Sequence, residues 1–192
     1  MAEEAAHSQR QSAEDRLIDA AERVVIEVGA GHLTLEAVAR AAGVSKGGLL
    51  YHFPSKEALL QGMIDRHLRD IDARMAGLGG DSRSPAELVR RRVRALLELD
   101  PQRRAIGAAL IAACAVNPAL MSSLRGRFRE FADELAQFPG GFEKAAIVLL
   151  AVDGLLLGEL LHVSPYTPAE RERIVAALCE ASESCLSLQC AT

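Results

Sequence analysis

The chain runs to 192 residues, 49% of them hydrophobic but only 4% aromatic, with no Trp and a formal net charge of -4. That length suits one medium domain or a small module joined to a larger one, and apolar content dominated by Ala, Leu and Val favours an all-α protein. A sequence pI near 5.8, with six basic against nine acidic residues up to residue 60, excludes nucleic-acid binding through bulk charge, so any such contact must come from a few groups placed by the fold.

Residues 1–12 read as a loose polar arm. A helix follows from Ala13 to Val28, with Leu17, Ala20, Ala21, Val24, Val25 and Val28 on one face. Gly29 and Gly31 stop it. Thr34 caps a second helix over 35–42, whose expected buried face is Leu35, Val38, Ala39 and Ala42. Gly43 breaks that helix, and Ser45 caps a third over 46–52. Phe53 and Pro54 end it, because the residue before proline disfavours the helical region. Ser55 opens a fourth helix, with Glu57 in its first turn, that runs through Met63, His67 and Met75 to the glycines at 77–80. Residues 79–85 (GGDSRSP) form a linker-like break. Five further helices are expected over 86–99, 102–116, 119–138, 141–163 and 168–188, punctuated by Pro101, Pro118, Pro139, Pro165 and Pro168. The organisation is an N-terminal three-helix unit, a connecting helix and a larger C-terminal helical bundle, divided as 13–73 and 74–192.

The segment LTLEAVARAAGVSKGGLLYHFPSKEAL, from Leu33 to Leu59, carries the functional signal. Two short helices joined at Ala42-Gly43-Val44-Ser45 have the sequence shape of a helix-turn-helix. Val44 is expected as an apolar plug between the helices, with Leu49, Leu50 and Phe53 packing inward. Ser45, Lys46, Gly47, Gly48, Tyr51 and His52 then face outward, a mix of donors, a cation and bare backbone that suits phosphates and base edges. Thr34 and the amides after it suit a phosphate. Lys56 is a cation in a helix's first turn, set against the local dipole, as though a phosphate neutralises it. Packing alone accounts for a short helix pair with a glycine turn, for a core Tyr51 and for a helix-capping His52. It does not account for Gly47 and Gly48, each costing about 1 kcal/mol of helix propensity.

This segment resembles the DNA-binding domain of the TetR (tetracycline-repressor-like) family, through Leu33-Thr34, Val38-Ala39, Ala42-Gly43-Val44-Ser45, Leu49, Tyr51-His52-Phe53, Ser55-Lys56 and Leu59. The residue-level resemblance covers roughly 13–73. It implies that Thr34, Tyr51 and Lys56 touch phosphates, and that Lys46, Gly47, Gly48 and His52 lie along a recognition helix. Lys46 either reads guanine or anchors a phosphate. Two glycines bring no side chain, so more of the recognition falls to DNA shape.

The resemblance also implies that the larger domain binds a small-molecule effector and forms a homodimer through its last two helices. Helix 141–163 is apolar nearly all round, as a helix buried on most sides is. Val152, Leu156, Leu160, Ile174, Leu178, Ala181 and Cys185 are the expected dimer contacts, and Gly154 and Gly158 would permit close approach. Candidate effector contacts are Met63, His67, Cys114, Asn117, Met121, Phe128 and Asp153. Asp153 needs a partner in so apolar a helix: a basic side chain, a helix terminus or a cationic ligand.

Other classes fit less well. Helix 141–163 approaches membrane-spanning length but carries Asp153 and Glu159. Cys114, Cys179, Cys185 and Cys190 form no CxxC pair and match no zinc spacing, so they read as reduced thiols of a cytoplasmic protein, with a redox role open for the three in the tail. No metal site, cofactor or catalytic motif is expected, so the chain reads as a non-enzyme. A helical carrier of apolar molecules would leave Leu33 to Lys56 unexplained. The expectation is a DNA-binding regulator, a repressor rather than an activator, released from a palindromic operator by an effector.

Overall fold

The computed structural model describes residues 2–79, 85–137, 141–160 and 163–187. Every regular element among them is helical: α1 (Ala2–Val28), α2 (Leu35–Ala42), α3 (Lys46–His52), α4 (Lys56–Gly77), α5 (Pro85–Leu97), α6 (Pro101–Val116), α7 (Ser122–Ala136), α8 (Gly141–Leu160) and α9 (Pro168–Ser187), with 3-10 turns at Ala30–His32 and Pro118–Met121. The expected α2 and α3 are found residue for residue. The expected polar arm is not, because α1 begins at Ala2. Residues 2–12 contain neither Gly nor Pro and are rich in Ala, Glu and Gln, so helix propensity carries the helix back to its start. At the other expected boundary near 119, Asn117 caps a 3-10 turn by accepting from Ala119 N at 3.2 Å, and α7 starts only at Ser122.

Packing sorts the chain into two units, and not in chain order. The first comprises residues up to Leu68 together with Pro101–Ser123, and the second Arg69–Asp100 together with residues from Leu124. A division at 73/74 follows chain order alone. Instead α6 packs on α1 and on the turn at Ala30–His32 and so belongs with the first unit.

The first unit closes around Leu17, Val25, Leu33, Val38, Leu49, Leu59 and Met63, each almost wholly removed from water. Gly29, at φ 80°, and Gly43, at φ 69°, take left-handed conformations that other residues adopt only with strain. They end α1 and turn α2 into α3. Phe53 leaves α3 and packs against Gly62 of α4, where an added Cβ would stand 2.8 Å from the Phe53 ring. Beside this apolar core runs an ionic cluster centred on the buried Arg66 and Glu22. Arg66 of α4 reaches Glu22 at 2.7 Å and Asp19 at 2.6 Å, both on α1, and donates to the Asp15 carbonyl at 3.2 Å. Arg103 of α6 meets the same Glu22 at 3.1 Å. Burial alone would discourage charge on Arg66, but the carboxylates of Asp19 and Glu22 outweigh it and raise its pKa.

The second unit contains the end of α4 with α5, α7, α8 and α9. Its core joins Val89, Val93 and Leu97 of α5, Phe131 and Leu135 of α7, and Ala145, Val148, Val152 and Leu155 of α8. Polar clips finish the ends. Arg171 of α9 holds Glu159 and donates to the Leu97 carbonyl at 2.9 Å. Thr167 and Glu170 exchange hydrogen bonds as a capping box, with Pro168 opening α9.

α8 departs from the expected arrangement. Val152 is fully buried in its own unit, and Leu156, Ile174, Leu178 and Ala181 pack partly buried against the same core. Val152 therefore serves the chain's own interior, and the other four contribute to it with part of their surface. The side chains of Leu160 and Cys185, and all of Cys190, lie outside the described residues. The apolar surface that α8 leaves open is a different stripe: Ile147 (68% exposed), Leu150 (69%) and Leu157 (48%). Ala151 and Gly154 are exposed between them, and a Cβ added at Gly154 would meet nothing.

Candidate nucleic-acid interface

α2, the Gly43 turn and α3 form one rigid corner. Thr34 caps α2 by accepting from Ala37 N at 3.2 Å, and Ser45 caps α3 by accepting from Gly48 N at 3.0 Å. Each hydroxyl keeps its own proton to donate outward. Val38 and Leu49 anchor the two helices in the core, while residues 43–48 stand in solvent. Val44 is among these, 42% exposed, so it does not plug the helix junction; Leu49 does that work.

The expected contact residues divide. Thr34, Ser45, Lys46, Gly47, Gly48 and Tyr51 are exposed on this corner. Tyr51 projects at 69% exposure, with its ring set edge-on to His52 at a centroid distance of 5.1 Å. His52 points elsewhere: its side chain is mostly buried and its Nδ1 stands 3.6 Å from Glu14 Oε1 of α1. It is a packing residue between α3 and α1. Lys56 is half-buried and donates to the Gly31 carbonyl at 2.9 Å, tying the start of α4 to the turn after α1.

Lys46 is not idle either. Its Nζ hydrogen-bonds Glu36 Oε1 on α2. That bond, with the Glu36 backbone amide and the charge of Lys46, holds the Glu36 carboxyl below its ordinary pKa. Glu36 escaped attention in the sequence because it reads as an ordinary first-turn acid of α2. Ten residues separate it from Lys46, and only the turn brings them together. The glycines are equally informative. A Cβ on Gly47 would meet only Ser45 Oγ at 3.9 Å, and one on Gly48 only Ser45 Oγ at 3.4 Å and Val44 Cβ at 3.9 Å. Neither glycine is demanded by the chain's own packing.

The candidate effector residues also divide between the units. Met63 and Cys114 are buried in the first, where burial raises the Cys114 thiol pKa. His67 approaches Gly107 there, Asn117 is a cap, and Met121 is half-buried. Phe128 and Asp153, in the second unit, line a common cavity, and they share it with Arg92 and Phe131.

Two capped short helices, joined by a left-handed glycine and presenting an unpacked donor face, make this corner a helix-turn-helix. The comparisons agree. Residues 17–63 match the model of the tetR family of bacterial regulatory proteins, and residues 86–183 match that of the tetracyclin repressor-like C-terminal domain. The HTH-type transcriptional regulator RutR of Escherichia coli O157:H7 is 33% identical over 114 residues, which are 58% of this chain and 52% of that protein. The match thus spans about half the length of this curated relative. A putative TetR-family transcriptional regulator from Rhodococcus sp. shares the fold at TM-score 0.72 and 21% identity, over 90% of this chain and 98% of the other. A TetR-family member from Streptomyces coelicolor A3 is similar at TM-score 0.65 and 26% identity, over 86% and 97%. The multidrug binding protein EbrR, complexed with imidazole, is similar at TM-score 0.61 and 26% identity, over 85% and 88%. The chain belongs to the TetR family of transcriptional regulators. Among the described residues no helix is long and apolar enough to cross a membrane.

Proposed function

We propose that the protein is a homodimeric repressor that occupies a roughly palindromic operator and leaves it when a small organic ligand binds the second unit. The observation that carries this reading is the corner from Thr34 to Tyr51: capped, anchored by Val38 and Leu49, and bare of packing on its outer face. On DNA, Thr34 and Tyr51 donate to phosphates, and Lys56 supplements them with the protons that Gly31 leaves unused. Lys46 exchanges Glu36 for a phosphate or a guanine. Gly47 and Gly48 let the α3 backbone approach the groove floor, where shape rather than side-chain pattern is read. The open stripe Ile147–Leu150–Leu157 supports pairing with a second copy through α8, since exposed apolar surface in one line marks an interaction site. Dimerisation then sets two reading heads on half-sites spaced by helical turns. A relative that binds multiple drugs supports a ligand-responsive second unit.

The experiment is selection of genomic fragments by the purified protein, followed by mobility shift on the recovered site. The expected result is saturable binding to one palindromic sequence, lost when the half-site spacing changes by half a helical turn. Binding that ignores sequence on every fragment would reject the reading.

A further inference from the structure

Between α5, α7 and α8 of the second unit lies a cavity of about 180 Å³. Its walls are apolar, from Phe128, Phe131, Leu135 and Leu149, and two charged side chains also line it. They differ in depth. Asp153 is the more exposed of the two, although partial burial still raises its carboxyl pKa against the opposing charge of Arg92. Arg92 is only 7% exposed, yet its guanidinium makes no hydrogen bond or close ion pair among the described residues. Its nearest described partners are ring faces, with Cζ 4.7 Å from the Phe131 centroid and 5.7 Å from that of Phe128. Burial lowers its pKa, and Asp72 and Asp153 counter that only through space. A buried guanidinium with its donors unused is costly, and a carboxylate is the group that satisfies it bidentately. A cation entering the cavity would meet Arg92 as a like charge in a poorly solvated place.

We propose that this cavity takes a small organic anion, a carboxylate on an apolar body of about one aromatic ring, with its oxygens on Arg92 and its body between Phe128 and Leu149. The size follows from volume, since a cavity of roughly 150 Å³ accepts one benzene ring. The inference deepens the ligand-release reading above and rests on it for any consequence at the operator.

Titration calorimetry of the full chain with benzoate and phenylacetate, against benzyl alcohol and benzylamine, tests the binding without DNA. The expected result is saturable binding of a carboxylate at one site per chain, with the alcohol and the amine at least about tenfold weaker. Arg92→Met should weaken carboxylate binding by about tenfold or more while circular dichroism stays unchanged; Ala146→Leu, which fills the cavity and leaves Arg92 intact, should abolish it. Three results would each overturn the proposal: preference for benzylamine, undiminished benzoate binding by folded Arg92→Met, or no carboxylate binding at millimolar concentration. Because DNA is absent, such a failure leaves the repressor reading standing. Failure of the mobility shift would in turn leave the cavity's chemistry standing.

Discussion

Lys46 enters α3 already engaged. Its ammonium is held by Glu36, and both side chains remain more than half exposed. A surface pair of this kind adds little to folding stability, so its consequence lies in the proposed DNA contact: a phosphate or a guanine must displace a carboxylate. Glu36→Gln removes that competitor and a like charge facing the DNA. We expect the variant to fold as before and to bind operator about threefold tighter, with the slope of log affinity against log salt steeper by about one. Titration of a labelled operator at four salt concentrations reads both, and unchanged affinity and slope would remove Glu36 from the account. Gly47 makes the converse case. With open space at its Cβ, Gly47→Ala should gain about 1 kcal/mol in urea unfolding through helix propensity. It should lose operator affinity, because the methyl group intrudes where backbone meets DNA. Gain in stability with loss of binding is the signature expected of a position kept for contact. The two glycines were legible in the sequence as costs without a packing return. The clip was not, because it depends on where the turn sends α3.

At the scale of elements, the sequence told most where residues dictate a local backbone. Gly43, Ser45 and Pro54 bound α2 and α3 by φ freedom, capping and steric exclusion, and those limits coincide with the observed helix ends. What it hid were choices between faces. α8 is apolar on both sides, so periodicity cannot tell which stripe α5 and α9 cover; Val152 goes inward and Ile147 outward. Arg92 was missed for the opposite reason. It lies in the run Arg90-Arg91-Arg92, which reads as a solvated face, yet it falls four residues after Leu88 and four before Leu96, on the apolar side of α5. The Arg66–Glu22–Asp19–Arg103 cluster shows the same limit, since residues 81 apart meet only in the fold. Breaking it has a definite sign. Arg66→Met leaves Glu22, 5% exposed, with Arg103 as its remaining cation. Removing one member of a buried pair costs about 3–5 kcal/mol. Arg103 retains part of the pairing, so urea denaturation should report a loss of about 3 kcal/mol. A loss below about 1 kcal/mol, the range of exposed pairs, would mean that the cluster behaves as a surface one.

For the whole molecule, the net charge of -4 makes pairing decisive. One reading head offers few cations, and most of those on the corner are already engaged. Bulk electrostatics therefore cannot hold a single copy on DNA. In the proposed homodimer, two heads joined through α8 convert the second contact into an intramolecular one, and linkage of this kind raises avidity by about 10²–10⁴ without any new contact. The stripe Ile147–Leu157 is where the join can be broken with the least harm to the fold, because both side chains already face water and neither completes the core of the second unit. The double variant Ile147→Glu/Leu157→Glu sets like charges opposite each other across a two-fold interface. Sedimentation should show the native protein as a dimer at micromolar concentration and the variant as a monomer. Circular dichroism should be unchanged, and full-operator affinity should fall by about a hundredfold or more. Affinity for an isolated half-site should barely change, since the corner from Thr34 to Tyr51 is untouched. If the variant stays dimeric, the pairing surface lies off this stripe. If it is monomeric and still binds the full operator as tightly as the native chain, pairing is not what secures the protein on DNA, and the acidic chain must hold its site through contacts beyond Lys46, Tyr51 and Lys56.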